Sequence, residues 1–526
     1  MPNPKIGVWG TAVDLGDGET IRSNVGLTEE QLCAALREKG IEPDLVDPVI
    51  GTPEDTLEQT LKPVRQENGL LRVGMSRQRI EEVLAQKQYD ILAIPSIFTT
   101  QTLNVFDIAR TAKKVNPRCL VITGGVNARA EGPKGKSMWE RFGQTGDFNI
   151  IATSWGEKVI QMIAQRWIDG ASYEKIPGTI LFRKGDDPLK TEPDPSIFYE
   201  NPDDIPFPAW DLADLPKRAK IASHGVDLTS NHEELSASVM TSWGCPFWCK
   251  YCWISQVRFG RGTMSGNIGN LLCQSPERVF QGLQILKDMG VTKVLIEDDS
   301  FFARIGRATQ ILRKMIGLGF ILLNVNGINL VHMHEKVNGQ LVPNERLIRL
   351  NLEAGFNQIV FPVESGSQEM LDEYASGKLN LATMDIPRLI KTWMRIAEKM
   401  GVKFFCPVNI MIGYPKETEA HMMQSVEYAK RLIGAGAPYV TFFIVTPFPG
   451  SELYRIAIED GHLDPDIPPW RYNWKRAMMR NTAMDPRELE NFRDWATQEV
   501  NTKEHLALRE LNSAGYRWQS GAPTAP

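Results

Sequence analysis

Three cysteines fall within one short run of this chain, Ser242-Trp243-Gly244-Cys245-Pro246-Phe247-Trp248-Cys249-Lys250-Tyr251-Cys252-Trp253, at C-x3-C-x2-C spacing. Three thiolates on one tight loop can occupy three corners of a metal site. No fourth ligand follows at the usual spacing, since the next cysteine is Cys273 and the next histidine His332. A structural zinc site closes all four positions with Cys or His. An iron–sulfur cube held by three cysteines instead leaves one iron open to a small molecule. A zinc loop and a chance set of buried thiols are the alternative readings. A disulfide framework fits worse, because an odd trio leaves one thiol over.

At 526 residues the chain has room for several cores. Its 42% hydrophobic and 23% charged residues are those of a soluble globular protein. A net charge of −5 gives no footprint for nucleic acid or an anionic membrane, so neither is expected as a partner. No apolar run approaches the roughly 18–20 residues that span a bilayer. The opening Met1-Pro-Asn-Pro-Lys-Ile-Gly-Val lacks a basic segment followed by an apolar one, and three of the seven cysteines share a loop. Both point to a reducing compartment and a cytoplasmic protein.

Before the linker, short apolar runs alternate with amphipathic stretches. Lys5–Gly10, Pro43–Asp47, Asp90–Pro95, Cys119–Thr123 and Asn149–Ala152 read as strands. Thr28-Glu-Glu-Gln31 reads as a capping box opening the first helix. The alternation predicts a doubly wound parallel sheet over residues 1–180, with a ligand over the carboxyl ends of its strands. The loops there are Pro95–Gln101, Gly124–Asn127 and Thr153–Gly156, small and glycine-containing, suited to a large flat ligand or a nucleotide tail. No G-x-G-x-x-G opens the first helix, which disfavours a nicotinamide site. The first histidine of the chain is His224, so residues 1–180 offer no imidazole.

Residues 181–234 form a linker whose proline density, from Pro188 to Pro208, forbids helix and central strand. It is read as a stiff spacer, with Glu200–Asp211 at the entrance to a site. From 235 to 450 strand and helix patterns alternate again, with acids or glycine at strand ends, where barrel active sites form. Cys273 and Cys406 read as small core hydrophobes, and Met411, Met478 and Met479 as core. His332 and His334 lie two apart and would share one face of a strand. Residues 451–526 are expected to be helical, Pro486–Leu511 as one helix and Ser520–Pro526 as a disordered tail. Trp470, Arg471, Tyr472 and Lys475 face the barrel mouth or form a lid.

The cysteine spacing, with Tyr251 before the last cysteine, resembles the radical S-adenosylmethionine (SAM) superfamily. Its order of parts resembles the cobalamin-dependent branch. Ser96–Gln101 and Ile122–Arg129 look like loops of the fosfomycin-type methyltransferases, and Ile205–Asp211 like their crossing segment. The resemblance implies an α/β protein: a Rossmann-like cobalamin-binding sheet, a partial (β/α)6 radical SAM barrel and a small helical end. It implies a [4Fe-4S] cluster on Cys245, Cys249 and Cys252, with S-adenosylmethionine on the open iron. SAM contacts would come from Phe247, Tyr251, Asp298, Asp299, Glu364, Ser365 and Gly413. For the carboxylates the bland alternative is a strand-end residue capping the next helix.

Cobalamin contacts would come from Thr11, Ser96, Phe98, Thr99, Gln101, Gly124, Gly125, Val126, Asn127, Ser154, Trp155 and Gly156, without a histidine below the cobalt. Asn127 and Trp155 depart from the resembling loops. The implied activity is methylation of an unactivated carbon, or a phosphinate phosphorus, of a small natural-product intermediate. It would proceed through a 5′-deoxyadenosyl radical and methylcobalamin, with a flavodoxin- or ferredoxin-like electron donor. A cyclase or hydroxylase of the bacteriochlorophyll-cyclase type would use the same cofactors, and a non-catalytic metal-binding interaction protein would use neither SAM nor radical.

Overall fold

The computed structural model describes residues 2–16, 21, 23, 26–132, 137–221, 227–229, 234–256, 271–480 and 482–511. His224 and the tail expected at 520–526 lie outside them. Five parallel strands build the first sheet: β1 (Ile6–Trp9), β2 (Asp44–Val46), β3 (Ile91–Pro95), β4 (Leu120–Gly124) and β5 (Ile150–Ala152). Period-two alternation sends their side chains to two separate cores. Ile6, Val8, Ala93 and Ile150 pack under helices Leu27–Arg37 and Gly156–Asp169. Trp9, Leu92, Val121 and Ile151 pack under Arg77–Lys87 and Thr102–Val115. Burial on both faces is what a sheet of crossover-connected strands requires.

The sheet is not wholly parallel. β6 (Thr179–Leu181) and β7 (Leu189–Thr191) extend it antiparallel, in the order β7-β6-β5-β4-β3-β1-β2. β7 lies inside the proline-rich stretch, at the sheet edge, where an unpaired side of the ladder tolerates such sequence. The capping box also moves. Gly26 is the N-cap of the first helix and Thr28 lies inside its first turn, while Glu29 accepts the Gly26 N–H at 3.0 Å.

The second unit is a parallel barrel of six strand positions. β8 (Ser236–Val239), β9 (Lys293–Ile296), β10 (Ile321–Asn324) and β11 (Phe356–Ile359) form one sheet. β12 (Phe361–Glu364), β13 (Val408–Ile412) and β14 (Val440–Ile444) form another. The apolar run from Gln358 to Gly366 is therefore not one strand: it breaks at Val360, pairing backward with β10 and then forward with β13. Val294, Ile296 and Leu322 face the helices, among Leu283, Ile311 and Leu312. Leu295 and Leu323 alternate to the other side, with Val325.

The last strand does not end in solvent. Asn501 accepts the Val440 N–H at 2.7 Å and donates to its carbonyl at 2.9 Å, while Ile444 N–H reaches the Trp474 carbonyl at 2.8 Å. To do so Asn501 leaves helical geometry, which splits the expected terminal helix into Pro486–Val500 and Lys503–Leu511. Pro469–Arg471 packs against Thr99–Gln101, and Arg141 donates to the carbonyls of Pro465 and Ile467 at 2.5 and 3.2 Å. The end of the chain thus clasps the first unit to the second. Among the described residues no helix is long and apolar enough to cross a membrane.

Candidate active site

The cysteine loop leaves β8 and is held from below. Asp298, fully buried at the end of β9, accepts from Thr241 N and Oγ1 at 2.6 Å each and from Ser242 Oγ at 2.5 Å. Arg307 donates to the carbonyls of Gln274 and Thr241 at 2.6 Å each. Asp299 accepts the Gly244 N–H at 2.7 Å, and burial pushes its carboxyl up to about 6. Asp298 therefore spends its oxygens bracing the loop, the strand-end role, and has none facing a ribose. Asp299 braces the next turn and also lines the cavity described below.

The three thiols sit together. Burial raises all three, Cys252 to about 12; the Cys245 charge acts on Cys249, and both act on Cys252. The Lys378 ammonium works against burial at every one of them. Lys378 is itself mostly shielded from solvent and ion-paired with the buried Glu364. Burial disfavours its charge, but Glu364 and the thiols outweigh this and hold its pKa above the usual lysine range. Glu364 has φ +67°, a left-handed conformation that a side chain enters only where its surroundings enforce it. Here the bulge between Pro362 and Glu364, together with Lys378, turns the carboxylate toward the cysteines. Asn329 donates to Cys245 Sγ at 3.8 Å and to Ser300 Oγ at 2.7 Å.

Among the described residues no three His, Cys, Asp or Glu converge on a single metal ion. Three thiols on one loop suit a polynuclear cluster that takes one ligand per iron. Lys378 and Asn329 carried no sequence signal of their own. A lysine fourteen residues beyond a glutamate belongs to no spacing rule.

Other expected SAM positions are occupied by the protein. Ser365 Oγ accepts the Ser367 N–H at 3.1 Å and lies 3.3 Å from Ser425 Oγ. Gly413 has φ +87°, and a Cβ there would lie 2.5 Å from Leu489 Cδ2. Its room is filled by the C-terminal helix, and its N–H goes to Glu417 at 2.5 Å. Phe247 and Tyr251 pack against the barrel core, Tyr251 6.1 Å from the Tyr414 ring. His332 lies within a 3-10 turn and His334 opens the next strand, so they share no strand face. His334 Nδ1 bonds the Leu330 carbonyl at 2.9 Å, and the His332 ring lies 6.0 Å from Phe247.

Cys406, Met478 and Met479 are buried. Cys273 is only half-buried, close to Arg307 and Arg304. Tyr472 is core, packed on Phe448, and does not face the mouth.

Between the two units lies a cavity of about 470 Å³. The first sheet lines it with Phe98, Gln101, Gly124, Gly125, Val126, Arg129, Ser154, Trp155 and Gly156. The barrel adds Val239, Met240, Trp243, Trp253 and Asp299, and the linker adds Pro206, Phe207 and Trp210. The linker is thus a wall as well as a spacer. Trp155 meets Trp243 across the junction at 5.5 Å. Gly125 has φ +94°, and a Cβ there would meet the Ser96 carbonyl at 2.7 Å, so this loop admits only glycine.

Thr11, Ser96, Thr99 and Asn127 lie behind the wall, buried. Asn127 ties the loops together, donating to Ser96 Oγ at 2.8 Å and Thr102 Oγ1 at 2.9 Å. No lining residue is a histidine. Glu29 and Glu157 also line the cavity, and burial raises both carboxyls, Glu29 to about 8.

Residues 239–429 match the Radical SAM superfamily. Cytidylyl-2-hydroxyethylphosphonate methyltransferase of Streptomyces wedmorensis is 24% identical over 435 residues, covering 80% of this chain and 76% of that protein. An uncharacterized methyltransferase of Pyrococcus horikoshii is 26% identical over 411 residues, covering 77% and 75%. Among solved structures, the fold is similar to that of the radical SAM methyltransferase TsrM from Kitasatospora setae with cobalamin and a [4Fe-4S] cluster bound. That match has a TM-score of 0.59 at 14% identity, over 87% of this chain and 78% of that one. It is also similar to the cobalamin-dependent radical enzyme OxsB with aqua-cobalamin and S-adenosylmethionine bound. There the TM-score is 0.64 at 12% identity, over 97% and 72%. Residues 239–429 thus form a domain of the radical SAM superfamily, and the chain is a radical SAM enzyme with the two-unit fold of the cobalamin-dependent members.

Proposed function

We propose that this enzyme is a cobalamin-dependent radical SAM methyltransferase acting on a small molecule, at an unactivated carbon or a phosphinate phosphorus. The observation that carries the reading is the shared cavity. Trp253, next to Cys252, and the glycine loops of the first sheet line the same space. When bound, the cluster, S-adenosylmethionine and cobalamin supply the one-electron cleavage and the methyl group.

The chain supplies position and dryness. Cys245, Cys249 and Cys252 hold the cluster, on a loop fixed by Asp298, Asp299 and Arg307. The Lys378–Glu364 pair meets the charged ends of S-adenosylmethionine beside it, with Tyr251 alongside. Gly124, Gly125, Val126 and Gly156 would let a flat macrocycle approach backbone, and the lining would offer it no imidazole. Trp155, Trp243 and Phe207 exclude water from the junction.

In this division residues 1–180 hold cobalamin, 181–234 cross over, 235–450 hold the cluster and 451–526 close the site. Electrons come from a flavodoxin- or ferredoxin-like donor in the cytoplasm. The two curated methyltransferases that align with most of the chain support this reading. The test is anaerobic reconstitution with iron, sulfide and hydroxocobalamin, followed by a low-potential reductant such as titanium(III) citrate and S-adenosylmethionine labelled in its methyl group. Label on protein-bound cobalamin, together with 5′-deoxyadenosine release, is expected. Neither requires the substrate to be known, and loss of both would end the proposal.

A further inference from the structure

Arg129 is the one arginine among the residues lining the cavity. It is half-buried, its open face toward the cavity, and its Cζ lies 4.9 Å from the centroid of Trp253. Nη1 donates to the Thr153 carbonyl at 2.9 Å. No carboxylate among the described residues pairs with it, and burial alone lowers its pKa, to about 10. The segments that continue the chain from Arg129 and from Trp253, residues 133–136 and 257–270, contain no Asp or Glu. Four carboxyls share the cavity, Glu29, Glu157, Glu297 and Asp299, and none of them is a cause of the Arg129 shift.

A guanidinium has five N–H donors in a rigid fork, and among the described residues one of them is used here. Withdrawing a cation from water without a counter-charge destabilises a fold. Two cations near the cysteine loop, outside the cavity lining, do not face this problem: Arg307 is set against Asp298, and Lys378 against Glu364. Stacking on Trp253 orients the fork without neutralising it. The missing partner is an anion that arrives with a ligand, and the planar fork matches a phosphoryl, phosphonyl or carboxylate group.

We infer that Arg129 receives an oxyanion of the substrate and so selects an anionic substrate for this cavity, an assignment that rests on the methyl-transfer reading of the site. Trp253 then ties substrate recognition to the loop that carries Cys252.

The test uses full-length protein reconstituted with hydroxocobalamin, as wild type, Arg129→Lys and Arg129→Gln. The probe is methylphosphonate, followed by 31P line broadening, with dimethyl methylphosphonate as its uncharged counterpart. Wild type should broaden the anion and not the neutral ester. Arg129→Gln should weaken binding about tenfold or more, and Arg129→Lys should retain part of it. Cobalamin content, read by absorbance, should be the same in all three proteins.

Equal binding in wild type and Arg129→Gln overturns the inference, as does equal uptake of the neutral ester. Loss of cobalamin from Arg129→Gln with methylphosphonate binding intact also overturns it, because the anion would then be the phosphodiester of the cofactor tail. Failure of the methyl-transfer reading is seen separately, as absence of 5′-deoxyadenosine from wild type.

Discussion

The cavity has two unlike walls. The first sheet meets it with backbone and small residues, Gly124, Gly125, Val126 and Gly156, whose shape depends on buried ties such as Asn127 to Ser96. The barrel side meets it with Trp243, Trp253, Met240 and the carboxyls of Glu297 and Asp299, and outside the lining stand the three thiols and the Lys378–Glu364 pair. One wall is specified by the absence of side chains, the other by particular atoms. A wall of the first kind holds a large surface loosely in many places, whereas the second holds a few atoms tightly. Substitutions should therefore fail differently on the two sides.

The largest effect is expected at Cys249. Cys249→Ala should reduce cluster iron and 5′-deoxyadenosine formation to background while cobalamin uptake persists. If both activities vanish together, the walls are not independent. Next is the buried ion pair. Lys378→Met leaves Glu364 unpaired and should cost about 3–5 kcal/mol in urea unfolding, with partial recovery in the double variant with Glu364→Gln. No recovery would mean that the pair is not a unit.

On the other wall, Gly125→Ala forces a side chain into left-handed backbone against the Ser96 carbonyl. It should cost about 1–3 kcal/mol and lower cobalamin affinity while leaving cluster iron unchanged. Gly124→Ala is the milder control, since its Cβ would touch only Ala152, at 3.0 Å.

The smallest effect concerns pH. The Glu29 carboxyl is raised to about 8 by burial. The folded chain therefore keeps a proton there that the unfolded chain has released by about pH 5. Stability from this group is complete below the ordinary glutamate range and is lost as pH rises toward 8. Glu29→Gln should leave melting unchanged near pH 4 and raise it by a few degrees near pH 9.

The five parallel strands of the first unit were legible because short apolar runs alternate with amphipathic stretches, and the cysteine spacing is local, whereas β10 and the antiparallel β6 and β7 were not foreseen. What escaped depends on contacts between distant segments. Lys378 reaches Glu364 across a helix and a turn, and Arg129 meets Trp253 from the other unit. The acids after β9 were legible as strand-end residues, yet nothing local tells that Asp298 faces Thr241 while Asp299 also borders the cavity. Gly413 was legible only as an expected contact of S-adenosylmethionine, and its φ of +87° was not. The neighbour that demands a glycine there, Leu489, lies on a helix that sequence alone cannot dock. The break at Val360 was hidden for a similar reason, as a continuous apolar run does not say that its two halves serve different partners.

The strand–helix repeat stops near residue 450, but the cooperative unit does not. A fragment cut at that point would strip β14 of the Asn501 amide and the Trp474 carbonyl, leaving a bare row of donors and acceptors on a parallel sheet. Such an exposed rim recruits whatever extended chain is nearby, so truncation there would give self-association instead of a smaller enzyme.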